Sequence, residues 1–240
     1  MTEVLTLILA ESAIESIPRE MWDHPTIKNL SKRRGKPPRL LLLDKSYHYF
    51  AMKKLPDSER RGRPDIVHFC LLEALGSPLN KEGLLKVYVH TIDDHIIYIE
   101  PETRLPKNYN RFVGLIEDLF EHGYVPPSGK PLLSIEAGGL PDLIETLKPT
   151  YTVIFERGGV PMTFEEVAPR LAREERPVVL VGGFPHGEFS ERTMKLANEV
   201  VCVDPEVLEA WTVVSRIIYE YERVIGLPKK RLERMRSGTT

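Results

Sequence analysis

Arg60, Arg61 and Arg63 fall within the string Glu59-Arg60-Arg61-Gly62-Arg63-Pro64-Asp65, which runs directly into a segment of helical spacing. A guanidinium is a planar fork of donors that grips phosphate bidentately, so three in four positions form an anion clamp. Asp65 falls in the first helical turn. There a carboxylate is favoured by the helix dipole, and it is equally available as a site group. A second cationic string, residues 104–112, spaces Arg104, Lys107 and Arg111 among Tyr109 and Phe112. That mixture pairs with phosphates and stacks on unpaired bases, or it makes surface salt bridges. Further on, three loops follow apolar runs: Glu156-Arg157-Gly158-Gly159, then Gly182-Gly183-Phe184-Pro185-His186-Gly187, then Val203-Asp204-Pro205. Open α/β sheets bind ligands at such carboxyl-end loops, and glycine lets a ligand approach the backbone. Singly, each is also an ordinary turn; in series they suggest a small-molecule site.

Other chemistries lack support. Neither G-x-G-x-x-G nor a Walker string is present, which argues against a dinucleotide or nucleoside triphosphate. None of the seven histidines has metal-ligand spacing, so no metal is expected, and no Ser or Cys nucleophile motif occurs. Cys70 and Cys202 stand far apart, suggesting neither a disulfide nor zinc and pointing to a reducing, cytoplasmic setting. The first apolar stretch, residues 5–10, lacks a basic flank and is too short to span a bilayer, so no membrane is expected. The absence of Gln, with 20 Pro and 28% charged residues, points to a heat-adapted source.

The net charge of -2 hides a partition. From Lys28 to Arg63 there are 12 Lys/Arg against 3 Asp/Glu, leaving 21 against 32 elsewhere, and the tail after Pro228 is basic again. A basic block on an otherwise acidic chain points to a polyanion, although a solvated charged face gives the same composition.

The elements that must position these groups follow from periodicity. Apolar runs at residues 4–9, 39–43, 131–135, 151–155, 177–181 and 199–203 read as strands, and residues 84–90 and 95–100 as a hairpin. Helices are expected at 64–75, from an Asn110 cap to Gly123, at 140–147, at 163–173 behind a Thr163/Glu166 capping box, and at 190–197. A final helix is expected from an Asp204 cap to Gly226, with an apolar stripe suited to core or interface. Alternating strands and helices give an α/β fold with a largely parallel sheet. The length fits a single domain, residues 1–240, with a small basic α/β insertion at roughly residues 30–100.

Leu42-Leu43-Asp44-Lys45-Ser46-Tyr47-His48, Arg61-Gly62-Arg63-Pro64-Asp65-Ile66-Val67-His68, Ser77-Pro78-Leu79-Asn80 and Val181-Gly182-Gly183-Phe184-Pro185-His186-Gly187 occur in that order. Together they resemble the ribosome-biogenesis pseudouridine N1-methyltransferase family of the SPOUT class, archaeal type, over about residues 41–226. The resemblance implies a C-terminal trefoil knot, an exception to the rule that chains do not thread. It also implies a homodimer, S-adenosyl-L-methionine as cofactor and small-subunit ribosomal RNA as substrate. By position it places Phe155, Gly158, Gly159, Gly182, Gly183 and Gly187 at the cofactor, with Val203, Asp204, Pro205, Glu206, Val207 and Leu208. Arg61, Arg63, Arg104, Lys107 and Arg111 fall on RNA contacts, Lys107 replacing an expected arginine fork by a point charge. Asp65 becomes the candidate for orienting the target base and accepting its proton. The competing expectation is a non-catalytic RNA-binding assembly factor using the same basic loops.

Overall fold

The computed structural model describes residues 4–238. Its centre is β1 (Leu5–Ser12), in which all eight residues are buried. A strand that is apolar at consecutive positions can satisfy both faces only inside a sheet covered on both sides. Leu5, Leu7 and Leu9 enter one core, while Ile8 and Ala10 enter the core on the opposite face, as a two-residue side-chain period requires.

Around β1 lie β2 (Leu85–Thr91), β3 (His95–Ile99), β4 (Tyr124–Val125), β5 (Leu133–Ala137), β6 (Tyr151–Pro161), β7 (Pro177–Gly182) and β8 (Glu199–Cys202). Their order is β4-β5-β3-β2-β1-β7-β6-β8. The block β2-β1-β7-β6-β8 is parallel, whereas β2–β3, β3–β5 and β4–β5 pair antiparallel. The sheet is therefore mixed, parallel only in the block that includes β6, β7 and β8.

The helices are α1 (Pro25–Arg34), α2 (Lys45–Met52), α3 (Pro64–Gly76), α4 (Pro78–Lys81), α5 (Tyr109–His122), α6 (Leu140–Leu147), α7 (Phe164–Leu171), α8 (Glu191–Met194), α9 (Ala210–Val224) and α10 (Leu227–Ser237). Helix α9 packs against α3 and α7 on the larger core face. Both halves of the Thr163/Glu166 capping box form at the start of α7. None of the described helices is long and apolar enough to cross a membrane.

Several sequence expectations shift. Residues 39–43 make no strand: Pro38–Leu40 is a 3-10 turn, and a lone bridge joins Leu42 to Ser16. Two prolines, Pro37 and Pro38, fix φ and remove donors there, and Leu41 and Leu43 fill a separate small core with Ile17, Met21, Ile27 and Met52. That helical lobe lies between β1 and α3 along the chain, whereas β2 and β3 belong to the main sheet. Asn108, not Asn110, caps α5, accepting from Arg111 N–H at 3.2 Å. The helix expected at 190–197 is the single turn α8. The final helix starts at Ala210 rather than after Asp204, because the Asp204 side chain closes a local turn on Glu206 N–H at 2.9 Å. Strand β6 also runs on through the expected loop 156–159 to Pro161.

Candidate functional site

The middle of β6 and the carboxyl ends of β7 and β8 border one cavity of about 650 Å³, a size suited to a nucleoside-type cofactor. Phe155, Glu156 and Arg157 wall it on one side. Gly182, Phe184 and Gly187 form a second wall, and Val203, Asp204, Glu206, Val207 and Leu208 a third. Arg63 and Ile66 of the loop and helix at α3 complete it. The helix that begins only at Ala210 explains the third wall: residues 203–209 stay non-helical, and all of them but Pro205 line the cavity instead. At Gly182 an added Cβ would lie 2.9 Å from the Phe184 ring, so the ring rests on bare backbone.

Four expected cofactor residues sit elsewhere. Gly183 packs on the end of β1, where a Cβ would come within 2.1 Å of Ser12 Oγ, and its carbonyl accepts from Ala13 N–H at 2.8 Å. Gly159 lies on the backbone of β8, with a virtual Cβ 2.6 Å from Val201. Both glycines allow close crossing of chain segments, which is a packing role. Pro205 is exposed and does not line the cavity, and Gly158 faces a neighbouring hollow with Glu156 and Glu188.

The arginine run proves to be internally paired. Arg61 donates from Nε to Glu15 Oε1 at 2.8 Å and grips the other oxygen through Nη2; that carboxylate is only 2% exposed. Arg63 holds both oxygens of Asp65, each at 2.8 Å, and this bidentate bond pushes the guanidinium pKa further up. Arg61 is thus spent on a buried ion pair rather than displayed for phosphate, while Arg63 and Asp65 act as one unit at the cavity edge.

Arg60 was only part of the clamp by sequence, yet it makes the richest set of contacts. Its guanidinium lies 4.1 Å above the Phe184 ring, donates to Glu11 Oε2 at 2.6 Å and reaches the Glu188 carbonyl. Glu11 in turn accepts from Ser190 N–H at 3.0 Å and Ser190 Oγ at 2.6 Å. It takes φ +49, a left-handed conformation costly for a residue with Cβ. The Glu11 backbone N–H donates to His90 Nδ1 at 3.2 Å, and His90 Nε2 bonds Asp94 at 2.9 Å. The loop carrying Gly182 and Gly187 is therefore tied to β1 and to the arginine run. The sequence signal for this tether was an acid, Glu11, at the carboxyl end of a mostly apolar strand.

Arg104, Lys107 and Arg111 are exposed, and none forms an ion pair among the described residues. They are held in place rather than floating. His68 Nε2 contacts the Pro106 carbonyl at 2.7 Å while its ring stacks on Phe112 at 4.3 Å. Tyr109 OH donates to Asp44, whose other oxygen caps α2 through Ser46 N–H at 2.8 Å. Burial, reinforced by the Asp44 charge, pushes the Tyr109 hydroxyl pKa far up, so it remains a donor. This gives Asp44 of the Leu-Leu-Asp-Lys-Ser string a role: it locks the lobe to the base of the cationic loop. No cluster of three or more His, Cys, Asp or Glu suited to a metal occurs among the described residues.

The cavity fits a charged nucleoside of the expected kind. Apolar Phe184, Val207 and Leu208 suit a flat base, and Glu156, Asp204, Glu206 and Glu209 supply acceptors for hydroxyls and cationic groups. Comparison with known proteins agrees with this arrangement. The family described as "EMG1/NEP1 methyltransferase" matches residues 7–222. The chain is 50% identical over 227 residues to "Ribosomal RNA small subunit methyltransferase Nep1" of Thermococcus kodakarensis, covering 93% of this chain and all of that one. Its counterpart from Pyrococcus furiosus is 47% identical over 222 residues, covering 92% and 98%. The crystal structure of Archaeoglobus fulgidus Nep1 bound to S-adenosylhomocysteine superposes with a TM-score of 0.81 at 38% identity, covering 94% of this chain and 100% of that one. With its three loops, its paired arginine run and a match that spans nearly the whole chain, this protein belongs to the EMG1/NEP1 methyltransferase family.

Proposed function

We propose that this chain transfers a methyl group from S-adenosyl-L-methionine to N1 of a pseudouridine in small-subunit ribosomal RNA. The observation that carries the reading is the shared wall: Arg63 and Ile66 line the same cavity as Gly182, Phe184 and Leu208. A cofactor held there lies beside the element that leads to the cationic face. The printed names of the relatives, ribosomal RNA small subunit methyltransferases, and the demethylated cofactor bound by one of them support the same substrate and cofactor.

When bound, the cofactor supplies an electrophilic methyl group on a sulfonium. The protein's part is to place the acceptor nitrogen in line with it, and positioning alone removes much of such a barrier. A pseudouridine inside a helix is out of reach, so the nucleotide enters looped out, its phosphates met by Arg104, Lys107 and Arg111. Asp65 accepts a hydrogen bond from the base edge while Arg63 fixes both of its oxygens. Protonating that carboxylate would break a bidentate pair, so Asp65 orients the base and the N1 proton leaves to solvent. We expect Asp65→Asn to lower kcat at least tenfold with little change in RNA affinity; an equal loss of both would make the pair a simple RNA contact.

The C-terminal knot and the homodimer belong to this proposal. Strand β6 meets β8 twice, with both Phe155 and Val160 partnered to Val201, and the non-helical stretch after β8 is a segment suited to threading. Exposed Val160, Val207 and Tyr219 give a second copy apolar surface to cover.

The deciding experiment is isothermal titration with S-adenosylmethionine and S-adenosylhomocysteine beside ATP and NAD, followed by methyl transfer to synthetic RNAs bearing pseudouridine or uridine at one site. Saturable binding of the adenosyl ligands alone and transfer to pseudouridine alone support the proposal. Absence of adenosyl-ligand binding would leave a non-catalytic RNA-binding assembly factor as the better account.

A further inference from the structure

Helix α2 carries an outer face that neither the fold nor the cavity uses. Its buried side is His48, Ala51 and Met52, which close the small lobe's own core. On the opposite side, at helical spacing, lie Tyr49, Phe50 and Tyr47, with Lys53 at the C-cap and Lys54 in the turn that follows. Tyr47, Tyr49 and Phe50 are 62%, 52% and 72% exposed. Lys53 Nζ sits 5.1 Å from the Phe50 ring centre and 5.8 Å from that of Tyr49. Single exposed apolar residues are normal, but three large aromatics on two turns of one helix form a patch that demands a partner.

We infer that this face is a stacking platform for single-stranded RNA flanking the target nucleotide, an inference that rests on the function proposed above. Charge selects the occupant. The platform lies in the stretch with 12 Lys/Arg against 3 Asp/Glu, and Lys53 and Lys54 form no ion pair among the described residues. Aromatic rings interleaved with unpaired cations are the chemistry by which proteins hold unpaired bases without reading their sequence. Position supports the same partner. The Asp44–Tyr109 hydrogen bond fixes the start of α2 to the start of α5, next to Lys107 and Arg111.

The test uses three RNAs: a hairpin presenting the target pseudouridine in its loop, and the same hairpin with an unpaired tail at one end or at the other. Wild-type protein should bind one tailed RNA more tightly than the bare hairpin. Tyr49→Ala/Phe50→Ala should lose about 10-fold in affinity for that tailed RNA, with binding and methylation of the bare hairpin unchanged. Tyr49→Phe/Phe50→Trp should restore the tail's contribution, and Lys53→Gln should make the salt dependence shallower by about 0.7. An equal loss on the tailed and bare RNAs, or none on either, would overturn the platform. So would a change in sedimentation mass on the alanine substitutions, which would make the face a contact between copies. Failure of wild-type protein to bind or methylate the bare hairpin would remove the methyltransferase reading, and the platform with it.

Discussion

Glu15 is an acid with almost no access to water, and the Arg61 guanidinium beside it is what makes its burial tolerable. Burial pushes its carboxyl pKa above the ordinary range, while the hydrogen bonds and charge of Arg61 pull it partly back. Taking Arg61 away strands a buried charge, a loss of about 3–5 kcal/mol. Arg61→Ala should therefore lower stability in chemical denaturation without changing the salt slope of RNA binding. A carboxyl whose folded pKa is raised is best accommodated when protonated. The gap between wild type and variant should thus be small in acid and widen as pH rises past about 4.3, the unfolded value. Arg60 makes the opposite case, a side chain that acts on the cofactor loop. Burial alone would raise the Glu11 carboxyl pKa, but the bonds from Ser190 and Thr193, with the Arg60 charge, bring it below the usual value. That tether persists through the neutral range and is lost only as pH falls through the lowered pKa. Arg60→Ala should weaken S-adenosylmethionine binding about 10-fold in calorimetry and leave bare-RNA affinity nearly intact. Arg60→Lys should recover only part, since an ammonium lacks the fork that spans Glu11 and the Glu188 carbonyl and the plane that stacks on Phe184.

Gly159 tests the meeting of β6 with β8 at the level of elements. A methyl group there would come within 2.6 Å of the Val201 backbone, which no rotamer change can relieve. Gly159→Ala should cost about 3 kcal/mol, seen as a lower denaturation midpoint at unchanged slope. Gly158→Ala, with nothing within 4 Å, should be tolerated. The same elements show how far sequence reaches. Helix α3 was readable because Pro64 starts it and apolar spacing continues to Ala74; α7 was readable because Thr163 and Glu166 cap it reciprocally. Helix α2 was not, since Tyr47, Tyr49 and Phe50 face water and erase the apolar stripe on which periodicity depends. Residues 39–43 looked like a strand because a run of leucines fills a helical lobe as readily as a sheet. The cavity-lining glycine loop at 182–187 was legible from its type and place after a strand. The partners of Arg60 and Arg61 were not, because Glu11 and Glu15 reach them only through tertiary folding, from 49 and 46 residues away in sequence.

At the scale of the molecule, the basic block is not uniformly available to a polyanion. Arg34, Lys36, Lys45, Arg60, Arg61 and Arg63 are committed to carboxylates; among the described residues Lys53 and Lys54 of the block carry no such pair, nor do the three loop cations beyond it, Arg104, Lys107 and Arg111. Replacing all three by Gln should reduce the slope of log affinity against log salt by about 2 to 3, whereas the same change at Arg61 should not. The position of β1 has a separate consequence, for how the chain comes to be folded at all. Leu5–Ser12 precedes every other strand along the chain, yet it lies in the middle of the sheet: Leu7 waits for Val87 on one side and for Val179 on the other. Until β7 has been made, a nascent chain carries an apolar strand with an open edge, the kind of segment that associates with its neighbours. Such distant pairing slows the search for the native state. Assembly therefore waits for β7, whose carboxyl end also borders the cavity, so a chain truncated before β7 leaves its own first strand without a home.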